Sequence, residues 1–304
     1  MNIVYFSNGI FGLDPLITLH KSNHKIQAVI TNIDKPSGRN KTLKQTLIAK
    51  YAIQNNLNLI KIDNLNEQNF INKLNLLKSD IFIVISYRIL PKSIFNMPKY
   101  GSINIHASYL PEYPGASPIQ RSIINGEDHL GLTSFILNDK IDKGNIVYQK
   151  KININDKITY GDAHDMLTTE ASSLLVKTID DIINTKPFKQ EGDIIEYAHK
   201  INKNEYKISL NNNCIKIHNY FRGLTPPGPY LLLDSRRVKL YNTYYDLNEN
   251  DTMQIGQFFV KNNNIYIKCK AGFITASTLQ FEGKKSITAI DFKNMNLKDN
   301  IIFE

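Results

Sequence analysis

Residues 81–106 read IFIVISYRILPKSIFNMPKYGSINIH, two short apolar runs separated by a turn-like connector. The first run, Ile81 to Ile85, has no polar position, which is the pattern of a strand covered on both faces of a parallel sheet. The second run behaves differently. In an extended chain residues i and i+2 project to the same side, so Asn104 and His106 share one face while Ile103 and Ile105 share the other. Two central strands, one ending in an amide and an imidazole on a common face, predict an α/β sheet with polar chemistry at its carboxyl edge.

Upstream, apolar runs alternate with segments of helical period: NIVYF then Leu13 to Leu19, IQAVIT then Leu43 to Asn55, LNLIKI then Glu67 to Leu77. This is the order of βαβ units. Downstream, Ser117 as N-cap, Pro118 at the first helical position and Gly126 past the end punctuate a short helix. Two strand-like runs, LTSFIL and NIVYQKKI, are joined by NDKIDKG, and a long helix is predicted from about Tyr160 to Asn184. Beyond residue 205, apart from a helix around CIKIHNYFRGL, short strands recur at regular spacing with polar turns, the pattern of a small barrel. The expected organisation is a Rossmann-like, mainly parallel α/β domain over 1–188, a linker over 189–204 and an OB-like β-barrel domain over 205–304.

The chain has 304 residues and a net charge of +9. The last third is the more basic part, with 14 basic against 9 acidic residues over 201–304, which favours polyanionic partners. No apolar run reaches the roughly 18 residues of a membrane span, and the first residues enter a strand pattern with no basic leader. A cytoplasmic, monomeric protein away from membranes is expected. Cys214 and Cys269 show neither metal-ligand spacing nor a disulfide framework. His20, His24, His129, His164, His199 and His218 show no paired metal spacing, so surface or capping roles and no metal are expected. The stretch FSNGIFG does not spell a dinucleotide fingerprint.

The chemistry gathers around His106. It closes a central strand ahead of a Pro- and Gly-bearing loop, and the connector NDKIDKG supplies Asp139 and Asp142, of which Asp142 could reach back to the imidazole. An amide, an imidazole and a carboxylate without a placed Ser or Cys nucleophile suit direct acyl transfer to an amine. Asn104 can donate to an oxyanion. His106 can either accept the proton of the attacking amine or hold charge beside that oxyanion.

The stretch INIHASYLPEYPGASPIQRSIINGE, followed by DKIDKGNIVYQ, resembles the central signature of the folate-dependent formyltransferases, and the likeness runs the length of the chain. It implies Asn104, His106 and Asp142 as the catalytic trio. It also implies a folate-binding element at Ser108, Tyr109, Leu110 and Pro111, and a pterin pocket at the strand ending in Ile85, Ser86, Tyr87 and Leu90. The donor implied is 10-formyltetrahydrofolate, with no metal, and the acceptor is the α-amino group of methionyl-tRNA. The loop DKPSGRNKTLK resembles the insertion of the tRNA-modifying branch, which implies Lys35, Arg39, Lys41 and Lys44 as tRNA contacts; Arg222, Arg236, Arg237 and Lys239 are their counterparts in the C-terminal domain. Arg88 and Lys140 stand where the family commonly has Gly, and Glu112 and Pro114 where basic residues are usual. A nucleotide-sugar amine as acceptor, or a tRNA-binding homologue without transfer activity, are the alternative readings of the same residues.

Overall fold

The computed structural model describes residues 1–37, 42–248, 252–295, 297 and 300–304. Compactness divides the chain into two units: Met1–Gly115, Gly131–Ile152 and His164–Tyr197 form the first, and Ala116–Leu130, Asn153–Ala163 and Ala198–Glu304 the second. In chain order the elements are β1 (Asn2–Ser7), α1 (Leu13–His20), β2 (Lys25–Asn32), the hairpin strands β3 (Lys35–Ser37) and β4 (Thr42–Lys44), α2 (Leu47–Gln54), β5 (Leu59–Ile62), α3 (Gln68–Leu76), β6 (Ile81–Ile85), α4 (Lys92–Phe95) and β7 (Ser102–His106). There follow α5 (Pro118–Asn125), β8 (His129–Ile136), β9 (Ile146–Asn153) and α6 (Tyr160–Asp181).

Seven strands make one sheet in the order β5-β2-β1-β6-β7-β8-β9. From β5 to β7 the pairs are parallel, and β8 runs antiparallel to β7. The all-apolar β6 is buried along its whole length, as expected for a strand with helices on both sides. One row across the sheet runs Phe6, Val84, Asn104, Phe135, and two positions along, on the same face, His106 pairs with Thr133. Val4, Phe6, Phe82 and Val84 share a buried cluster with Leu90, Ile94 and Phe95, so the polar face of β7 continues an apolar floor.

Two local expectations are corrected. The helix expected from Leu43 begins at Leu47, because the Thr46 side chain accepts the Ala49 N–H at 3.0 Å, a cap that ends the extended hairpin. Ser117 stands at the N-cap of α5 without a side-chain hydrogen bond. That helix is started by the fixed φ of Pro118 and stopped by Gly126 at φ +82.

In the second unit α5 packs on α7 (Cys214–Gly223), where a Cβ at Gly223 would lie 2.8 Å from Ile124 Cγ1. Strands β10 (Leu231–Leu233), β11 (Arg236–Asp246), β12 (Phe258–Lys261), β13 (Asn264–Lys268), β14 (Phe273–Phe281) and β15 (Ile287–Thr288) precede α8 (Ala289–Lys293). They form an antiparallel half-barrel, ordered β10-β11-β14-β13-β12 with β15 on β14. Its concave side buries Val238, Leu240, Ile265, Ile267, Ile274 and Ala276 against Ile217 and Phe221. Both cysteines are buried there, and burial pushes the Cys269 thiol up to about 12. His218 and His129 are buried too, against the expectation of surface roles. The His218 ring bridges Thr243 Oγ1 at 3.0 Å and the Asp156 carbonyl at 2.7 Å.

Within this unit Arg121 of α5 clamps the chain that leads into the half-barrel. Its guanidinium donates to both Glu205 oxygens at 2.6 and 3.0 Å and to the His199 carbonyl at 3.0 Å. Burial works to raise the Glu205 pKa, but Arg121 and the Asn202 backbone N–H outweigh it and hold the carboxyl below its usual range. A depressed carboxylate adds stability that is fully present above the unfolded value, about 4.3 for Glu, and lost as pH falls through the lowered folded value. We expect Arg121→Met to cost about 3 kcal/mol at pH 7, since it strands a partly buried charge, and the deficit to shrink below about pH 4. Urea titrations across pH measure both, and an equal deficit at acid and neutral pH would count against the pair.

Candidate active site

His106 ends β7 with only 8% of its surface exposed. Its Nε2 lies 3.2 Å from the Tyr113 carbonyl oxygen. A carbonyl can only accept, so Nε2 carries the hydrogen, and in the neutral ring Nδ1 keeps the basic lone pair. Asn104, two residues earlier on the same face, is half-buried between Val84 and Phe135.

The loop after His106 is tied down by residues that sequence reasoning missed. Thr133, opposite His106 on β8, donates its hydroxyl to the Ser108 carbonyl at 2.8 Å and accepts the Leu110 N–H at 3.0 Å. Gln149 donates to the Leu110 carbonyl at 2.6 Å and to Thr133 Oγ1 at 3.2 Å. Ser108 Oγ donates to the Glu112 carbonyl at 2.6 Å, closing the turn. At Gly131 a Cβ would sit 2.2 Å from the Tyr109 nitrogen, so this strand position is bare because backbone lies on it. A glycine inside HLGLTSFI was the available signal.

Asp142 does not meet the imidazole: among the described residues no hydrogen bond joins it to His106. Its Oδ2 accepts the Gly115 N–H at 2.8 Å, and its carbonyl accepts from Gln190 Nε2 at 2.8 Å, which also donates to the Gly144 carbonyl at 3.0 Å. The carboxylate therefore fixes the loop whose Tyr113 carbonyl holds the ring. Tyr113 and Asp142 both take left-handed backbone, each at φ +51, which costs an L residue roughly 1–2 kcal/mol. Such strain persists where neighbours over-determine it. Asp139 lines the same cavity as Asp142 and pairs with Lys92 at 2.9 Å.

The expected donor-binding residues lie in the same unit. Ile85, Leu90 and Leu110 are buried. Tyr87 packs its ring edge-on against Phe6 at 5.5 Å, and the Ser86 carbonyl accepts the N–H groups of Asn8 and Gly9 at 3.2 and 3.3 Å. Tyr109 is half-buried, and Pro111 and Asp142 line a cavity of about 710 Å³. Arg88 donates to the Ile62 carbonyl at 3.0 Å and to the Asp63 carbonyl, so it finishes the end of β5. Among the described residues no cluster of three or more His, Cys, Asp or Glu side chains could hold a metal ion, and no helix is long and apolar enough to cross a membrane.

The expected tRNA contacts sort differently. Lys35 and Lys44 are exposed and directly opposite one another in the β3-β4 hairpin; Arg39 and Lys41 lie outside the described residues. Arg236 and Arg237 are exposed and stand over the rings of Phe281 and Tyr230 at 4.9 and 4.7 Å. Lys239 donates to the Pro227 carbonyl. Arg222 departs from the expectation of a surface cation: it is 5% exposed, donates to Asn219 Oδ1 at 2.9 Å, and burial lowers its pKa.

A sheet whose carboxyl edge presents an amide and an imidazole above a pinned turn, followed by an antiparallel half-barrel, defines a two-domain transferase architecture. The chain belongs to the formyl transferase family: the Formyl transferase model matches residues 1–179 and the Formyl transferase, C-terminal domain model residues 200–297. It is 38% identical to the methionyl-tRNA formyltransferase of Thermodesulfovibrio yellowstonii, over 95% of this chain and 94% of that protein. The corresponding enzyme of Flavobacterium johnsoniae is 34% identical, over 97% and 96%. Among solved structures, the N-formyltransferase from Helicobacter canadensis in complex with folinic acid and dTDP-3-aminofucose superposes with a TM-score of 0.62 at 23% identity, covering 90% of this chain and 98% of that one. That last likeness is one of fold.

Two substitutions test the turn. Gly131→Ala must push Tyr109 aside, an overpacking cost of about 1–3 kcal/mol. Thr133→Val strands the Leu110 N–H at a similar cost. Hydrogen exchange should show the Leu110 amide losing protection in both; retained protection in Gly131→Ala would mean that the close approach is not needed.

Proposed function

We propose that this protein transfers the formyl group of 10-formyltetrahydrofolate to the α-amino group of methionyl-tRNA. The observation that carries the reading is the chain of contacts from Asp142 through Gly115 and Tyr113 to His106, beside a turn whose family counterparts bind folate. Near-full-length similarity to methionyl-tRNA formyltransferases supports the acceptor.

The donor is a substrate, and the residues present suit it. Pro111, after the buried Leu110, lines a cavity with Pro114 and Ile194, and an exposed Ser86 and half-buried Tyr87 follow the buried Ile85. The neutral amine, whose kind titrates near pH 7.7–8.0 in peptides, attacks the formyl carbon. Asn104 donates its amide N–H to the oxygen as negative charge develops there. His106 Nδ1 takes the proton that the attacking nitrogen sheds, and the ring can return it to N10 of the folate as the carbon–N10 bond breaks. Asp142 is a positioning residue, acting through the 113–115 loop. Holding amine and donor together supplies much of the remaining rate.

Lys35 and Lys44 support an RNA partner. Like charges directly opposite across a strand pair are unfavourable, and a phosphate near both relieves the repulsion while releasing counterions. Exposed Arg236 and Arg237 add to this on the half-barrel.

With methionyl-tRNA and 10-formyltetrahydrofolate, Asn104→Ala should lower kcat by about 10²–10³ and His106→Ala by about 10²–10⁴. Undiminished rates in both would remove the site. Lys35→Glu with Lys44→Glu should raise the KM for tRNA and flatten its dependence on salt. Efficient formylation of a dTDP-amino sugar, with none of methionyl-tRNA, would overturn the acceptor.

A further inference from the structure

The β3-β4 hairpin is a two-stranded sheet of its own, apart from the seven-stranded one. Two strands alone are marginal in water unless an apolar face buries them. This pair has no such face among its described side chains, since Lys35, Pro36, Leu43 and Lys44 are all exposed. Packing of the hairpin therefore does not fix where it points; its two legs are fixed at the base. The outgoing leg runs into α2 through the Thr46 cap, with Ile48 and Ala49 buried behind it. The incoming leg leaves β2 at Asn32, and two residues on Asp34 Oδ2 accepts from Lys61 Nζ at 2.7 Å. Lys61 lies on β5, the edge strand of the large sheet, directly beside Thr31 of β2.

Both charges are largely withdrawn from water: the Asp34 side chain is 21% exposed and that of Lys61 27%. Asp34 Oδ1 is buried with no hydrogen-bond partner, so compensation of the carboxylate rests on Lys61. A desolvated pair holds together more strictly than an exposed one, because loss of either member leaves the other uncompensated. Resting on the formyl-transfer reading with an RNA acceptor, we propose that the Asp34–Lys61 pair is the anchor that aims the β3-β4 hairpin at the acceptor. Both are positioning residues. They act through Lys35, which follows Asp34 directly in the chain, and through Lys44 opposite it. The sign of the effect separates this role from ordinary electrostatics. An acidic residue beside an RNA-binding hairpin repels the RNA, so by charge alone its removal tightens binding; as an anchor, its removal loosens binding.

The test uses the whole protein with Asp34→Ala, Lys61→Met, both together, and Lys61→Arg. It measures affinity for methionyl-tRNA by fluorescence anisotropy, alongside kcat and the KM values for methionyl-tRNA and 10-formyltetrahydrofolate. Asp34→Ala and Lys61→Met should each raise the Kd and KM for tRNA about tenfold, the worth of one charge-assisted hydrogen bond. The kcat at saturating tRNA and the KM for the donor should stay as they were. The double variant should be no worse than either single one, because the pair is already broken, and Lys61→Arg should stay near the unmodified protein. A tighter or unaltered tRNA affinity in Asp34→Ala overturns the proposal. Loss in Lys61→Met alone also overturns it, making Lys61 a direct phosphate contact, as do penalties that add in the double variant. A donor KM that rises in step overturns it by showing a general loss of structure. If the unmodified protein binds tRNA but transfers no formyl group, the proposed function falls and the anchor is still read from the affinities; formyl transfer with unaltered affinity in the variants does the reverse.

Discussion

The Thr133 hydroxyl is the contact on which the site's geometry turns. One oxygen donates to the Ser108 carbonyl and accepts from Leu110 and Gln149, using its full hydrogen-bonding capacity. It does so from a strand position directly opposite His106. The turn that follows the imidazole is thus fastened to the neighbouring strand, where rigidity is inherited from the sheet ladder, instead of being left to its own sequence. Gly131 completes the arrangement by letting the Tyr109 backbone pass where any side chain would collide.

From that fixed turn the chain runs into two left-handed residues that a free loop would avoid. Tyr113 and Asp142 together cost about 2–4 kcal/mol. The Asp142 carboxylate accepting a backbone N–H is a charge-assisted bond of roughly 1.5–3 kcal/mol, and the two donations from Gln190 add about 1 kcal/mol each. Strain and support therefore balance to within a few kcal/mol. The result is directional: the Tyr113 carbonyl is aimed at Nε2, the hydrogen is held on that nitrogen, and Nδ1 keeps the ring's lone pair.

The sheet was legible because its strands are short, rich in apolar residues and most are separated by helices; β6 and β7 read directly from IFIVI and SINIH. Asn104 and His106 were legible for the same reason, since strand periodicity alone puts them on one face. The helix start at Leu47 was not, because Thr46 competes for the Ala49 N–H against an apolar period that extends further back. The Asp142 contact was misread because side-chain reach was judged from residue type, whereas the left-handed backbone turns the carboxylate to Gly115. Helix α5 offers another limit: it lies inside one continuous signature with β7, yet its packing partner is α7, nearly a hundred residues later. Linear motifs carry no record of that contact beyond a glycine at 223, where a Cβ would meet Ile124.

Charge was the least legible property, since eight cations that look equivalent in a row of letters differ in what an anion could offer them. Arg222 already donates to Asn219 from a buried position, so a phosphate would have to replace bonds it has. Arg236 and Arg237 lie over aromatic faces, which orients the guanidinium planes and lowers the ordering cost of an anion contact, though Arg237 already pairs with Glu282 at 3.6 Å. Lys35 and Lys44 stand exposed and directly across from one another, so a bridging anion both satisfies them and removes a repulsion. Ranked by free energy still to be gained, the hairpin pair comes first and Arg222 last. A polyanion binding this protein should therefore be felt first at the base of the β3-β4 hairpin.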